Sequence, residues 1–447
     1  MQVFDVCIVG AGISGSTLAL ELAKLGYQVA LIEKDDFPRF HIGCSFSVGV
    51  VTHWIPHFAL TNILTQAILP QHQQLHVRWE QQEVQLKEEK GCLVDRGVFD
   101  SLLTQQCASQ GIAVYQAKTG VKLSNATTSA WTISFDAKQI QARFLVEATG
   151  RKPSVIKTRK EKYLPKLLAV YCFLNNKQQH SSIDAGSNYW MWKTPYKDQC
   201  LTVLYSDPET ILANGGIKAF YTTVLLETSN HQLSPEELST VTSCDATSYY
   251  DTAPIGSNYI KIGDAAFTLD PLSSQGVAKA FKSVSYATRI IHTMFKQPEH
   301  RKDLVAFYTH VVRDEVANNK KWTSEFYNAQ SSFNSPFWKK YTSTPPAEKI
   351  VPTLTLDTIL MLNPAIQVKK TGTVGAEFIE FKDALYLNNQ SFSYVHSIYL
   401  PTIVHKLNGL SIRAMLNALC TTYSKQHATQ LVQFLLENEL FVGEMGK

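Results

Sequence analysis

Gly10-Ala11-Gly12-Ile13-Ser14-Gly15 is a glycine-spaced turn, and what stands on either side of it decides the architecture of the N-terminal half. Before it, Val3 to Val9 is a short, apolar, β-branched run that reads as a strand. After it, Ser16 to Leu25 is rich in Ala, Leu and Glu at helical spacing. In such a strand–turn–helix the first glycine permits a tight bend, the second lets the backbone approach a pyrophosphate, and the third lets helix pack on strand. The helix N-terminus then faces the phosphate charge. Gln28 to Ile32 makes a second strand that ends at Glu33, where a carboxylate can accept both ribose hydroxyls, with Lys34 next to it. A dinucleotide is therefore expected on Gly10, Gly12, Ile13, Ser14, Gly15, Glu33 and Lys34.

Composition narrows what surrounds this site. The chain has 447 residues and 45% apolar content, enough for more than one domain with a large core. Its 42 basic and 38 acidic side chains nearly balance, at a net charge of +4, so no long-range field argues for nucleic acid or an anionic membrane. Eight cysteines are scattered without a CxxC pair, which predicts neither a disulfide framework nor a zinc site. The first fifteen residues read as a strand entering a turn rather than a signal peptide, and no uncharged apolar run is long enough to span a bilayer. A soluble, cytoplasmic protein without a metal is expected.

Three later segments extend the reading. Val94-Asp95-Arg96-Gly97-Val98-Phe99-Asp100 opens an amphipathic helix, Phe99 to Gln106. Phe144 to Arg151 is an apolar strand running into a turn with Glu147, Ala148 and Gly150. Ile260 to Ala266, with Gly263 and Asp264, precedes Asp270-Pro271-Leu272-Ser273-Ser274-Gln275-Gly276 and a helix from Val277. In this order, and with the N-terminal turn, they resemble the flavoprotein family of aromatic hydroxylases and flavin-dependent halogenases over residues 3–285. The resemblance implies FAD. It implies that Arg96 lies against the flavin, that Ala148 and Gly150 stand beside the dinucleotide, with Glu147 where aspartate is usual, and that Asp264 binds a ribityl hydroxyl. Pro271, Ser274 and Gly276 then aim a helix N-terminus at the flavin N1/C2 region, where the reduced ring carries negative charge. Arg39 to Ser47 resembles the family's H-x-G-E-S-L turn with Cys44 in place of glutamate, which adds Arg39 and Ser45 to the cofactor set. Cys44 reads as a small buried residue, with a redox thiol or a flavin attachment point as alternatives.

The family resemblance implies reduction of the flavin, addition of oxygen at C4a and transfer of oxygen to substrate or halide. Tyr189-Trp190-Met191-Trp192-Lys193-Thr194-Pro195 resembles the halogenase W-x-W-x-I-P element. Trp190 and Trp192 alternate on a strand and would face one side, as the floor of a substrate cavity or as core aromatics. In halogenases this element accompanies a lysine, downstream of the H-x-G-E-S-L turn, that handles hypohalite; here no lysine occurs between Lys34 and Lys87. The overall layout, with the Asp270–Gly276 loop, resembles more closely the flavoprotein monooxygenases that mature quinone cofactors by hydroxylating a tryptophan of a partner amine or amino-acid oxidase. That implies a protein substrate, oxygen, and NAD(P)H or a separate reductase as donor, since no second glycine fingerprint is present. The acid–base candidates are Lys193, His53 and Asp270, with His41 and His57 behind them; Lys193 lies inside the tryptophan element. A halogenase or hydroxylase of a small or carrier-bound aromatic compound is the alternative, and a non-catalytic FAD-bound assembly factor a further one.

The expected fold is α/β. A Rossmann-like FAD-binding domain occupies 1–340, with an antiparallel-sheet substrate domain inserted at about 151–250, where Leu167 to Leu174, Cys200 to Tyr205 and Ala219 to Leu226 suit strands. Val277 to Asn334 reads as helical, with Tyr286, Ile290, Ile291 and Met294 on one face. Residues 341–353 form a proline-rich break. Beyond it, 350–447 forms a small α-rich, winged-helix-like domain: helices Ser411 to Tyr423 and His427 to Asn438, a polar turn, and a strand at Leu440 to Val442. Such a unit resembles peptide-chaperone domains. DNA binding is disfavoured because its second helix carries Gln430, Gln433 and Glu437 and no arginine.

Overall fold

A parallel strand covered on both faces reads as a continuous apolar run. The computed structural model has that arrangement at the N-terminus, where Val6, Cys7 and Ile8 of the strand Gln2–Val9 are wholly buried. The structure describes residues 1–69, 74–79, 83–87, 91–127, 130–151, 155–176, 179–229, 232–342, 354–388, 390–395 and 398–443. Gln2–Val9 lies between Val29–Ile32 and Lys138–Glu147, parallel to both; Ala113–Tyr115 and Tyr259–Lys261 extend the parallel layer, and Ala130–Phe135 and Lys122–Thr127 add antiparallel strands. Val9 pairs with Ile32 and Glu147, and Glu147 with Lys261, so the carboxyl ends of these strands share one edge. That edge is where open α/β sheets bind ligands.

A second sheet runs Thr242–Asp245, Leu168–Leu174, Gln199–Ser206, Tyr189–Tyr196, Ser181–Gly186, Gln74–Arg78 and Glu83–Lys87. Its last two strands come from upstream of residues 151–250. One face carries an aromatic layer with Trp79, Trp190, Tyr205, Tyr327 and Trp338; the other packs on Ile211, Phe220, Tyr221, Val224 and Leu225. The last four of these correct the strand expected at Ala219–Leu226. The segment is the helix Ile217–Ser229, because its buried residues recur in pairs a helical turn apart, and the Tyr221 hydroxyl donates to Thr202 O at 3.0 Å. The helices after the Asp270 loop are Gly276–Lys296 and Arg301–Ala329.

The chain divides into two compact units, Met1–Ile291 with Tyr308–Ser343, and His292–Phe307 with Thr344–Lys447. Residues 343–353 of the expected proline-rich break lie outside the described residues. The second unit holds the helices Ile412–Cys420 and Lys425–Glu437, each started by a serine cap, Ser411 and Ser424, and the strand Phe441–Gly443 beside Ile359–Leu362. It also contains an unanticipated antiparallel hairpin, Gln367–Val374 with Ile379–Leu387. Gly372 sits there because a Cβ would come within 2.7 Å of the Phe307 ring. All eight cysteines are free thiols, and no cluster of three metal-ligating side chains occurs among the described residues. No described helix is long and apolar enough to cross a membrane.

Candidate functional site

The N-terminal turn divides its glycines between packing and open space. Gly10 has φ +107°, and a Cβ on it would lie 2.3 Å from Ala148 O; one on Gly15 would lie 1.8 Å from Gly10 O. A Cβ on Gly12 would meet only Arg39 Nη2, at 3.8 Å. Gly12 also starts the helix Ile13–Lys24 without any side-chain cap, so the first-turn amides are left to a ligand. Gly263 touches the same turn, since a Cβ on it would come within 2.5 Å of Ser14 Oγ. Residues 10–15, 148 and 263 therefore converge.

Glu33 is buried and accepts the amides of Ala11 at 2.8 Å and of Lys34 and Asp35, each at 3.0 Å. Three bonds leave part of the carboxylate's acceptor capacity for a ribose. Beside it, Arg39 Nη2 lies 3.9 Å from Glu33 Oε2, and the buried Arg39 Nε has no hydrogen-bond partner. Arg96 is held by a bidentate pair with Asp100, Nε at 3.1 Å and Nη2 at 3.0 Å, while its Nη1 reaches Gly43 O at 3.4 Å. The helix carrying it starts earlier than expected, at Arg96, because Asp95 Oδ1 accepts the amides of Gly97 and Val98. Ser45 pairs in a short strand with Leu93.

Asp264 lies between Lys279 Nζ and Arg151, whose Nε is 3.4 Å from Asp264 Oδ2. These cations outweigh partial desolvation and hold its carboxyl at about 2, so it stays an acceptor at any working pH. Neither cation was singled out from sequence, although Arg151 follows Gly150 directly. His41 is an exposed residue, but desolvation of its imidazole by neighbouring atoms, and then the Arg96 guanidinium, push it down to about 4. Glu147 is turned inward: it accepts from Thr149 Oγ1 and the amides of Val155 and Ile156, and lies 3.5 Å from the buried Lys261. At the loop Asp270–Gly276, Ser274 adopts the left-handed region at φ 51°, and a Cβ on Gly276 would meet nothing within 4 Å.

This set fits FAD. An Arg39 Nε that makes no hydrogen bond and lies 3.7 Å from Asp35 Oδ2, an uncapped helix start at Gly12 and open space at Gly276 are what an extended anionic ligand would complete. Cys44 is a buried member of the aromatic layer whose thiol burial pushes up to about 12, the small buried residue of the three readings.

The acid–base candidates do not converge. Trp190 and Trp192 belong to the aromatic layer, but Lys193, one residue on, points to the opposite face of the same strand, where burial lowers its pKa. His53 is exposed on the helical segment 50–57, its ring stacked 6.0 Å from His57. Trp190 is 2% exposed, stacks on Tyr205 at 3.8 Å and donates its Nε1–H to Tyr327 Oη at 2.9 Å. Trp192 keeps some exposure. Asp270 is the buried acid of the set, pushed up to about 7 by burial against the pull of the Leu272 amide, Tyr327 and Arg151.

Comparison with protein families matches residues 61–395 to the tryptophan halogenases and residues 5–86 to FAD dependent oxidoreductases. The 1H-pyrrole-2-carbonyl-peptidyl-carrier-protein chlorinase of Pseudomonas fluorescens is 23% identical over 386 residues, 74% of this chain and 85% of that protein. Among solved structures, QhpG, a peptidyl tryptophan dihydroxylase essential for tryptophylquinone cofactor biogenesis, superposes with a TM-score of 0.74 at 20% identity, covering 97% of this chain and 99% of that one. The flavin-dependent halogenase CmlS superposes with a TM-score of 0.84 at 19% identity, covering 99% and 96%.

Proposed function

Because this chain belongs to the tryptophan halogenase family of FAD-dependent oxidoreductases, we propose that it works as a monooxygenase that hydroxylates a tryptophan side chain in a partner polypeptide, the precursor of a quinone-cofactor oxidase. The observation that carries hydroxylation over halogenation is the absence of any lysine between Lys34 and Lys87, the stretch in which the halogenases of the family keep the lysine that handles hypohalite. Full-length likeness to a peptidyl tryptophan dihydroxylase supports the polypeptide substrate. So does a groove of about 430 Å³ in the second unit, lined by Tyr394, Val395, Gln430, Gln433, Phe434 and Glu437, whose amides and rings offer the donors, acceptors and apolar contact that an extended peptide uses.

Bound FAD supplies the redox and oxygen chemistry, with electrons from NAD(P)H or a separate reductase. The chain's own residues position it. The uncapped start of the helix at Ile13 and the N-terminus of the helix at Gly276 offer amides to negative charge, and Asp264 offers an acceptor locked in its ionised form. The aromatic layer keeps water from one side of the loop. A second reading, halogenation of a small or carrier-bound aromatic compound, is favoured by the carrier-protein chlorinase among the relatives.

Co-expression with a candidate quinone-cofactor oxidase precursor, followed by mass spectrometry of that precursor, tests the proposal. Added oxygen on a tryptophan is expected. Halide incorporation, or no change in the precursor while a carrier-bound pyrrole or indole is halogenated, would overturn it in favour of the second reading.

A further inference from the structure

We propose that Tyr327 is a positioning residue of the flavin loop, acting through Asp270, and that the protonation state of this couple is transmitted to the bound flavin ring. The inference rests on the reading of residues 270–276 as the loop that faces the flavin.

Asp270 is 2% exposed. Its Oδ1 accepts the Leu272 amide at 2.9 Å, which closes the turn Pro271–Ser273, and its Oδ2 faces the Tyr327 hydroxyl at 3.5 Å. Its own amide donates to Asn319 Oδ1, which also accepts from Tyr163 Oη at 2.8 Å. Tyr327 is wholly buried and stacked on Tyr341 at 4.5 Å, so its ring has no second place to go. A phenol has one proton to give. Because Tyr327 Oη already accepts Trp190 Nε1–H, its proton is directed at Asp270 Oδ2. Tyr327 thereby ties the loop before the Gly276 helix to the tryptophan strand.

Such a chain is sensitive to charge, because an ionised carboxylate strengthens both bonds that hold the loop and a protonated one weakens them. Asp270 lies at about 7, so both forms are populated near neutrality. The groups facing it are Tyr163, Tyr205, Tyr327 and Tyr341, all pushed up by burial and therefore neutral, and the Arg151 guanidinium, which favours the ionised carboxylate. His41, pushed to about 4, does not titrate in the same range.

The FAD-loaded full chain is titrated from about pH 5.5 to about 8.5 while flavin visible absorbance and fluorescence are followed, for the wild type, Asp270→Asn and Tyr327→Phe. A reversible spectral change with a midpoint at about 7 is expected in the wild type, with none in Asp270→Asn. In Tyr327→Phe the midpoint moves upward by roughly half a unit or more, because the lost hydroxyl favoured the charged carboxylate. A merely structural tyrosine would alter stability without moving the midpoint. A pH-invariant wild-type spectrum overturns the inference even if Tyr327→Phe fails to fold, and so does an unmoved midpoint in folded Tyr327→Phe. A wild type that takes up no FAD overturns the flavin reading itself.

Discussion

Side by side, Gly10 and Gly12 separate what a glycine does for the fold from what it does for a ligand. Gly10 needs its positive φ and has Ala148 O against it, whereas Gly12 has φ −75° and only the end of the Arg39 side chain, at 3.8 Å, near its Cβ position. Gly12→Ala should therefore fold with stability within about 1 kcal/mol of the wild type yet bind FAD at least about tenfold more weakly. Gly10→Ala should lose several kcal/mol of stability, of the size expected for backbone strain with a clash. Urea unfolding and flavin-fluorescence titration measure the two quantities, and wild-type affinity in Gly12→Ala would mean that the pyrophosphate does not pass this residue. The tight bend at Gly10 was readable from the spacing of the motif. The catalytic candidates were less so. Lys193 was favoured for its place beside the tryptophans, yet adjacency along a strand sends neighbours to opposite faces, a period-2 rule that could have been applied to it from sequence. Tyr327 gave no local signal, since it lies 57 residues from Asp270 and its role exists only once the helix is folded against the loop.

Elements of the first sheet were legible where burial on both faces writes an uninterrupted apolar run; beside the second sheet, a short run that serves a helix, Ala219–Leu226, was less so. Polar residues inside the first sheet carried no usable pattern. Lys261, on the strand Tyr259–Lys261, is fully buried, with its Nζ 2.8 Å from Asp251 Oδ2, 2.9 Å from Ile156 O and 3.5 Å from Glu147 Oε2. It joins the strand ending at Glu147, the strand Tyr249–Asp251 and the 155–158 segment at the sheet's carboxyl edge. This also accounts for a glutamate where the family's element has aspartate: Glu147 reaches inward to two backbone amides and toward Lys261. Lys261→Met leaves two buried carboxylates without their cation and should cost about 3–5 kcal/mol, read from chemical denaturation at neutral pH. A loss below about 1 kcal/mol would show that the cluster holds nothing together.

Across the whole molecule, every residue proposed to hold or orient the cofactor, from Gly10 to Lys279, belongs to the first compact unit, and the groove proposed for a peptide belongs to the second. Ligand binding to the native state alone stabilises what it touches, by about 2.7 kcal/mol at a hundredfold excess over Kd. Amide exchange reports that gain locally, since each amide opens with its own free energy. On adding FAD, protection should rise in peptides covering 10–16, 33–45, 96–100 and 263–279, which hold the uncapped helix start at Gly12, the Arg39 Nε without a hydrogen bond, and Asp264 with its two cations. Peptides covering 359–387 and 398–443 contribute no cofactor residue and should keep their exchange rates. Under the proposed function, a tryptophan-containing peptide should reverse the pattern, slowing exchange around Gln430–Glu437 first. Protection by FAD that appeared only in the second unit would place the dinucleotide elsewhere and detach Glu33, Arg96 and Asp264 from one another.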